Sequence, residues 1–308
     1  MGVLQLAARL SAMLITLFGV SLLVFLMMQA IPGDPVDAML GEQASGADRT
    51  ALRAALGLDA SLPEQLRRYY GGLFVGDWGV SLQTQEPILG TLAARAPGTL
   101  LLAGSALVFA VLFALPLGIW SALRPGKSPD HFAGLFALVG GAVPGFILGP
   151  VLIVVFAVWL GWAPVGGADG RGSVVLPALT LAIGMAAILS RQLRAALLEV
   201  LAEPFMRAAR ARGLGFGAAL WRHGLRNAAI PVLTVLGMQL GALLGGAVIT
   251  ETVFAWPGLG TLTVEAIERR DYPLLQGCVL VISAAYVIVN RLTDVLTAWC
   301  DPRIDWSR

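Results

Sequence analysis

The chain has 308 residues, of which 57% are hydrophobic and 13% charged, with a mean hydropathy of +0.79 and a formal net charge of +2. So little polar surface cannot cover a soluble globule of this size, which excludes water as the main solvent. The basic residues fall between apolar runs and not along one face, so nucleic acid is not a partner, and Cys278 and Cys300 form neither a disulfide framework nor a zinc spacing.

Leu10–Ile31 carries no charged residue and matches the roughly 20 residues that cross a bilayer. It exceeds the apolar core of a signal peptide and lacks a small-residue cleavage site before Pro32-Gly33-Asp34-Pro35, so it is expected to stay in the mature protein. The following outer segment, 32–97, is ordered by Leu56-Gly57-Leu58-Asp59, Pro63-Glu64-Gln65-Leu66, Tyr69-Tyr70 and Gly76-Asp77-Trp78-Gly79-Val80-Ser81. Ser61 and Glu64 have the spacing of a helix-starting capping box, and Leu62, Leu66, Tyr69 and Tyr70 form an apolar stripe. That stripe suits a cap packed at the membrane surface or a docking platform for an external partner.

Five further spans follow, at about 98–123, 132–162, 174–190, 227–250 and 272–299. The expected fold is therefore all-α, a single membrane domain over 1–308 with about six transmembrane helices. The run 132–162 is longer than a span needs and holds Pro144 and Pro150 beside Gly140, Gly141, Gly145 and Gly149, which predicts a span that is tilted, kinked or irregular at one end. Arg124, Lys127, Arg191, Arg194, Arg207 and Arg210 concentrate on one side, whereas the outer loops 163–173 and 251–271 hold only Arg171, Arg269 and Arg270. The positive-inside rule then puts both termini in the cytoplasm. Trp159, Trp162 and Trp299 sit where an interfacial aromatic belt belongs.

Between the fourth and fifth spans, the segment 199–226 contains Glu203-Pro204-Phe205-Met206-Arg207-Ala208-Ala209-Arg210-Ala211-Arg212-Gly213-Leu214. Proline in the first turn, small alanines and a terminating Gly213 predict a short helix from Phe205 to Arg212, with positive φ at the glycine. Such a helix can present a close-packing knob to a protein, or its arginines can rest on anionic lipid.

Arg207-Ala208-Ala209 with Gly213, then Arg222-His223-Gly224-Leu225-Arg226-Asn227-Ala228 and Pro231, resembles the cytoplasmic coupling motif of ATP-binding-cassette importer permeases of the dipeptide, oligopeptide, glutathione and nickel type. The resemblance extends through Ile31–Pro35, Leu56–Asp59, Gly76–Ser81 and Leu115–Gly118. It continues over Phe254–Gly260, Arg270-Asp271-Tyr272-Pro273 and Asp301–Ile304. It implies a bacterial inner-membrane translocation subunit that moves small peptides or metal chelates inward by alternating access, with a second permease, two cytoplasmic ATPases and an external substrate-binding protein as partners. ATP and Mg would act on the ATPases, with no cofactor on this chain. Glu203, Phe205, Arg207, Ala208, Ala209, Arg210, Gly213 and Leu214 would couple to the ATPase. Glu251, Phe254, Trp256, Pro257 and Gly258 would form an outer gate or binding-protein contact. The general importer motif begins with glutamate where this chain has Arg207, so a glutamate contact does not carry over.

Other chemistries lack their residues. Gly126-Lys127-Ser128 is not a phosphate loop, because position 121 is serine and Pro129 follows at once. An intramembrane enzyme needs convergent ionisable groups, yet the first five apolar runs hold none, and Arg291 and Asp294 in the sixth are spaced to pair with each other. His131 and His223 fall at or beyond the cytoplasmic boundary, leaving no metal site, and the span methionines, Met13 and Met185 among them, read as packing. An ATP-independent channel is the alternative, but it leaves the arginine-flanked helix without a role.

Overall fold

The computed structural model describes residues 3–30, 36, 46, 49, 50, 53, 59–170 and 172–300. Ile31–Pro35, Leu56-Gly57-Leu58 and Asp301–Ile304 lie outside the described residues. Among the described residues the regular elements are helices, and one isolated β-bridge joins Val80 to Pro87. In chain order they are α1 (Val3–Ala30), α2 (Leu62–Val75), α3 (Ile88–Leu123), α4 (Ser128–Ala142), α5 (Gly145–Leu152), α6 (Val175–Ala202), α7 (Pro204–Ala211), α8 (Phe216–Ala219), α9 (Leu225–Val253), α10 (Leu259–Glu268) and α11 (Tyr272–Cys300). Single π-helical stretches, Ile153–Trp159 and Leu220–Gly224, follow α5 and α8.

Three helices among the described residues are long and apolar enough to span alone, α3, α6 and most of α11, and two bent helix pairs raise the number to five. In α1 the stretch Ser11–Leu26 is apolar. Helices outrun the uncharged runs that announced them. α3 starts at Ile88 and not at Gly98, because Arg95 is accommodated 3.9 Å from Glu265. α6 continues past Ser190 to Ala202, with Arg194 neutralised by Asp130. The run 132–162 breaks at Val143-Pro144, where α4 and α5 turn through 107°. Pro144 supplies no N–H and pushes Val143 into extended geometry (φ −84°, ψ 115°), so the helix cannot continue.

The chain divides into two compact units, 1–99 with 257–285, and 100–256 with 286–308. In the first unit, α2 packs its aromatic stripe on α1: Tyr70 stacks on Phe18 at 5.1 Å between centroids, Tyr69 on Phe25 at 5.7 Å, and Ser21 Oγ lies 2.9 Å from the Tyr70 hydroxyl. Ser61 occupies the N-cap position of α2 but makes no side-chain cap, and the expected capping box does not form. The Glu64 carboxylate is engaged by Arg67 and Arg68 at 2.9 and 3.0 Å and is unavailable to the cap. Two of the sequence motifs also meet here. Ser81 donates to the buried Asp271 carboxylate, which in turn accepts from the Leu274 N–H at the start of α11.

The second unit is organised by small residues at four-residue spacing. Leu102, Ala106, Ala110 and Ala114 of α3 are buried against Ala178, Ala182 and Ala186 of α6. At Gly118 a Cβ would stand 2.9 Å from that of Leu193, which continues the close approach. Without water to expel, spans associate through such backbone proximity and van der Waals contact. Gly237 and Gly241 of α9 repeat the device, since a side chain at either would overlap Thr293 or Tyr286 of α11.

Candidate coupling segment and outer loop

The coupling segment begins where α6 stops. Glu203 is extended (φ −64°, ψ 145°), as a residue before proline must be, and Pro204 opens α7 without losing a needed N–H. Met206 and Ala209, three apart on one face, are buried with Ala219, and Val200, Leu201 and Leu214 pack around them. The opposite face leaves Phe205, Arg207, Ala208 and Arg210 exposed, and Glu203 is exposed at the entry. At the far end, Gly213 takes φ +91°, its N–H donates to the Arg210 carbonyl at 3.0 Å, and the Leu214 N–H donates to the Ala209 carbonyl at 3.3 Å. This paired termination needs a left-handed residue, and Leu214 closes it by packing back on Ala209. The Arg210 guanidinium lies 5.9 Å from the Phe216 ring centre, which ties α7 to α8.

Of the residues expected to couple, Glu203, Phe205, Arg207, Ala208, Arg210 and Gly213 therefore present themselves outward, whereas Ala209 and Leu214 belong to the anchor. Sequence reasoning missed Met206, Ala219 and Leu220. Met206 and Ala209 at i and i+3 among arginines were the available signal. Leu220 joins Leu193, Ala196, Leu197, Ala122 and Ala228 in a second buried cluster, which seats the segment on the ends of α3, α6 and α9.

A polar knot lies at the same ends of the helices. Arg194 grips Asp130 with two bonds, Nε to Oδ1 at 2.6 Å and Nη2 to Oδ2 at 2.7 Å. Ser121 Oγ and the Gly126 N–H also donate to that carboxylate. Such a bidentate pair fixes orientation as well as distance. The Gly126 N–H, 2.8 Å from Asp130 Oδ2, ties the loop between α3 and α4 to this knot.

The outer loop, expected to form a gate or a binding-protein contact, is packed inward in this structure. Glu251, Phe254 and Trp256 are 0%, 2% and 3% accessible, so none of them offers a surface to a docked protein in this conformation. Phe254 packs with Leu152 and Leu176, and its carbonyl accepts from the Gly167 N–H at 2.8 Å. A Cβ on Gly166 would fall 2.6 Å from that carbonyl oxygen, so only glycine fits the crossing. Ala255 turns the chain with φ +49°, and the Trp256 N–H returns to the Glu251 carbonyl at 2.8 Å. Trp256 then joins the alanine-lined core of α3 and α6. Pro257 is half-buried and Gly258 buried, with the Gly258 N–H bonded to Thr261 Oγ1 at 3.1 Å as α10 starts.

The family described as binding-protein-dependent transport system inner membrane component matches residues 114–306, and its N-terminal companion matches residues 3–103. The chain belongs to that family. The permease is 42% identical over 299 residues to the glutathione transport system permease protein GsiC of Escherichia coli strain K12, covering 97% of this chain and 98% of the relative. The same figures hold for GsiC of Shigella dysenteriae serotype 1. Its fold matches that of the inward-facing MetNI methionine ABC transporter, with TM-score 0.58 and 19% identity over 70% of this chain and 99% of that one. An amino acid ABC transporter matches with TM-score 0.51 and 18% identity over 70% and 95%. The permease is thus the inner-membrane translocation component of an ABC import system, which replaces the channel and intramembrane-enzyme alternatives.

Proposed function

We propose that the permease carries glutathione-like tripeptides or short peptides into the cytoplasm by alternating access, and that the outward face of α7 is where a cytoplasmic ATPase engages it. The substrate class follows from the glutathione permeases it resembles across almost its whole length. A second permease, two ATPase subunits that bind ATP and Mg, and an external binding protein complete the importer, with both termini of this chain cytoplasmic. One observation supports the coupling role: α7 is short, exposed on one side and held through Met206 and Ala209 against Val200 and Leu201 of α6 and Ala219 of α8, while Leu220, just beyond, packs on the ends of α3, α6 and α9. A push on such an element reaches the spans as a rigid-body displacement.

Gly213→Leu tests this reading. Left-handed geometry costs an L side chain about 1–2 kcal/mol locally, and among the described residues no atom beyond the neighbouring ones in the chain lies within 4 Å of the added Cβ. Insertion and folding are therefore expected to survive. In the reconstituted complex, ATPase retention or the ratio of substrate uptake to ATP hydrolysis is expected to fall. Unchanged uptake at normal subunit stoichiometry would remove the coupling role from α7.

A further inference from the structure

Two cavities open along the groove between α4 and α6, both within the second unit. The first, about 460 Å³, carries basic side chains on a partly apolar wall: Arg191, Arg194 and His131 line it with Ser121, Ser190 and Asp130. The Asp130 carboxylate is already saturated by Arg194, Ser121 and the Gly126 amide. The charge of Arg194 is therefore matched, whereas Arg191 and the His131 ring form no hydrogen bond or ion pair with the described residues. The cavity keeps an unmatched positive charge.

The second cavity, about 310 Å³, is lined by apolar residues, Phe132, Leu135, Val139 and Ile183 among them. Its origin is the 107° elbow, which swings Leu148 of α5 across the end of α4. Gly140 lets α4 approach α6 closely at the floor of the groove, since a Cβ there would stand 3.1 Å from the Ile183 side chain. The two cavities follow one another along the same pair of helices. At 1.5 Å per residue, His131 and Val139 are separated by about 12 Å along α4, comparable to the reach from a lipid phosphate into its acyl chain.

Neither half alone specifies a ligand, but their sequence along the groove does. A soluble anion would use only the basic end, and an apolar solute only the elbow. An amphiphile with a net negative head and a hydrocarbon tail uses both, with its charge complementary to Arg191. A zwitterionic head would bring its own cation against that arginine. We propose that the α4–α6 groove binds one anionic phospholipid, its phosphate at Arg191 and His131 and one acyl chain wedged in the elbow between α4 and α5. The bound lipid then serves as a wedge that sets the elbow of a broken span, making the permease responsive to the anionic lipid content of its membrane.

The experiment is native mass spectrometry of the assembled transporter in mild detergent, titrated with phosphatidylglycerol or with phosphatidylcholine of the same chains. Each permease is expected to retain one phosphatidylglycerol, with a roughly fivefold preference over phosphatidylcholine, the discrimination one interfacial arginine supplies. Arg191→Ala combined with His131→Ala is expected to abolish that preference, and Arg191→Lys to keep it. Leu135→Trp, at a 59% exposed position, fills the elbow and is expected to lose the lipid while the basic end stays intact. Equal retention of the two lipids would overturn the proposal, as would displacement of phosphatidylglycerol by an equal concentration of soluble glycerol phosphate. So would a lipid held by the isolated permease and absent from the assembled transporter, because the second permease would then be what covers the groove.

Discussion

In the coupling segment, Phe205, Arg207 and Ala208 face outward from a helix that Met206 and Ala209 hold down. In the outer loop the corresponding aromatic and acidic residues, Glu251, Phe254 and Trp256, turn inward and disappear from the surface. Both stretches interrupt the helical spans, and both end in a left-handed turn, at Gly213 and at Ala255. They differ in what the turn is for. At Gly213 it stops a helix and leaves open space around it; at Ala255 it bends the chain back so that Trp256 can reach the alanine-lined core. The first arrangement leaves one helix face exposed, and the second makes the loop part of the packed scaffold.

The arginine distribution predicts that the coupling segment and the outer segments lie on opposite sides of a membrane, and an all-or-none measurement can break that expectation. Thr84, in the exposed turn after Ser81, and Gly217, beyond α7, are both exposed. Single cysteines at these positions, in a background lacking Cys278 and Cys300, are expected to react with an impermeant thiol reagent from opposite sides only, as the arginine distribution requires. Labelling of both from one side would undo the topology and, with it, the contrast between a cytoplasmic knob and an outer loop.

Legibility followed the range of the interaction. The coupling segment is local: proline at its start, glycine at its end and alanines between them lie within ten residues or so of one another, and their geometry is dictated by backbone sterics that sequence displays. The break in the run 132–162 was legible for the same reason, because Pro144 and its neighbouring glycines act on their own backbone. The burial of Phe254 was not, since it depends on Leu152, Leu176 and the Gly166 crossing, all brought near only by the elbow that precedes them. The Asp130–Arg194 pair, 64 residues apart, and the Ser81–Asp271 contact, 190 apart, are invisible to any local pattern. The alanine stripe of α3 and α6 could have been found from its four-residue spacing, which in an apolar run marks a helix that others approach closely.

A second measurement sharpens the contrast in energy. Phe254→Ala deletes a fully buried ring among Leu152 and Leu176, and truncations of this kind cost about 3–5 kcal/mol. Phe205→Ala acts on a 40% exposed ring, a class of change usually within about 0.5 kcal/mol. Thermal unfolding of the purified permease is expected to show a large loss of Tm for Phe254→Ala and almost none for Phe205→Ala, while transport by the reconstituted complex is impaired in both. Equal shifts in Tm would mean that the outer loop is not the scaffold its burial suggests.

The smallest effect lies in the outer segment, where an exposed surface contact can be set against both regions. Hydrogen bonds from Arg67 and then Arg68 hold the Glu64 carboxyl well below the usual carboxylate range, at about 2. Because the folded value is depressed, the stabilisation is fully present above the ordinary carboxylate pKa and drains away as the pH falls toward about 2. The group is solvent-accessible, so salt screening keeps its contribution slight and confined to the first turns of α2. A spin label at Leu62, at the start of that helix, is expected to gain mobility as the pH is lowered through this window or as salt is raised to about 1 M, where the screening length shrinks to a few ångströms. Glu64→Gln should show the higher mobility already at neutral pH and lose both dependences, while the Tyr69 and Tyr70 contacts with α1 keep the rest of α2 in place. A label whose mobility ignored pH and salt in the unsubstituted permease would show that aromatic packing alone fixes this helix, and that the Glu64 cluster, the most conspicuous charged pattern of the segment, contributes nothing to holding it.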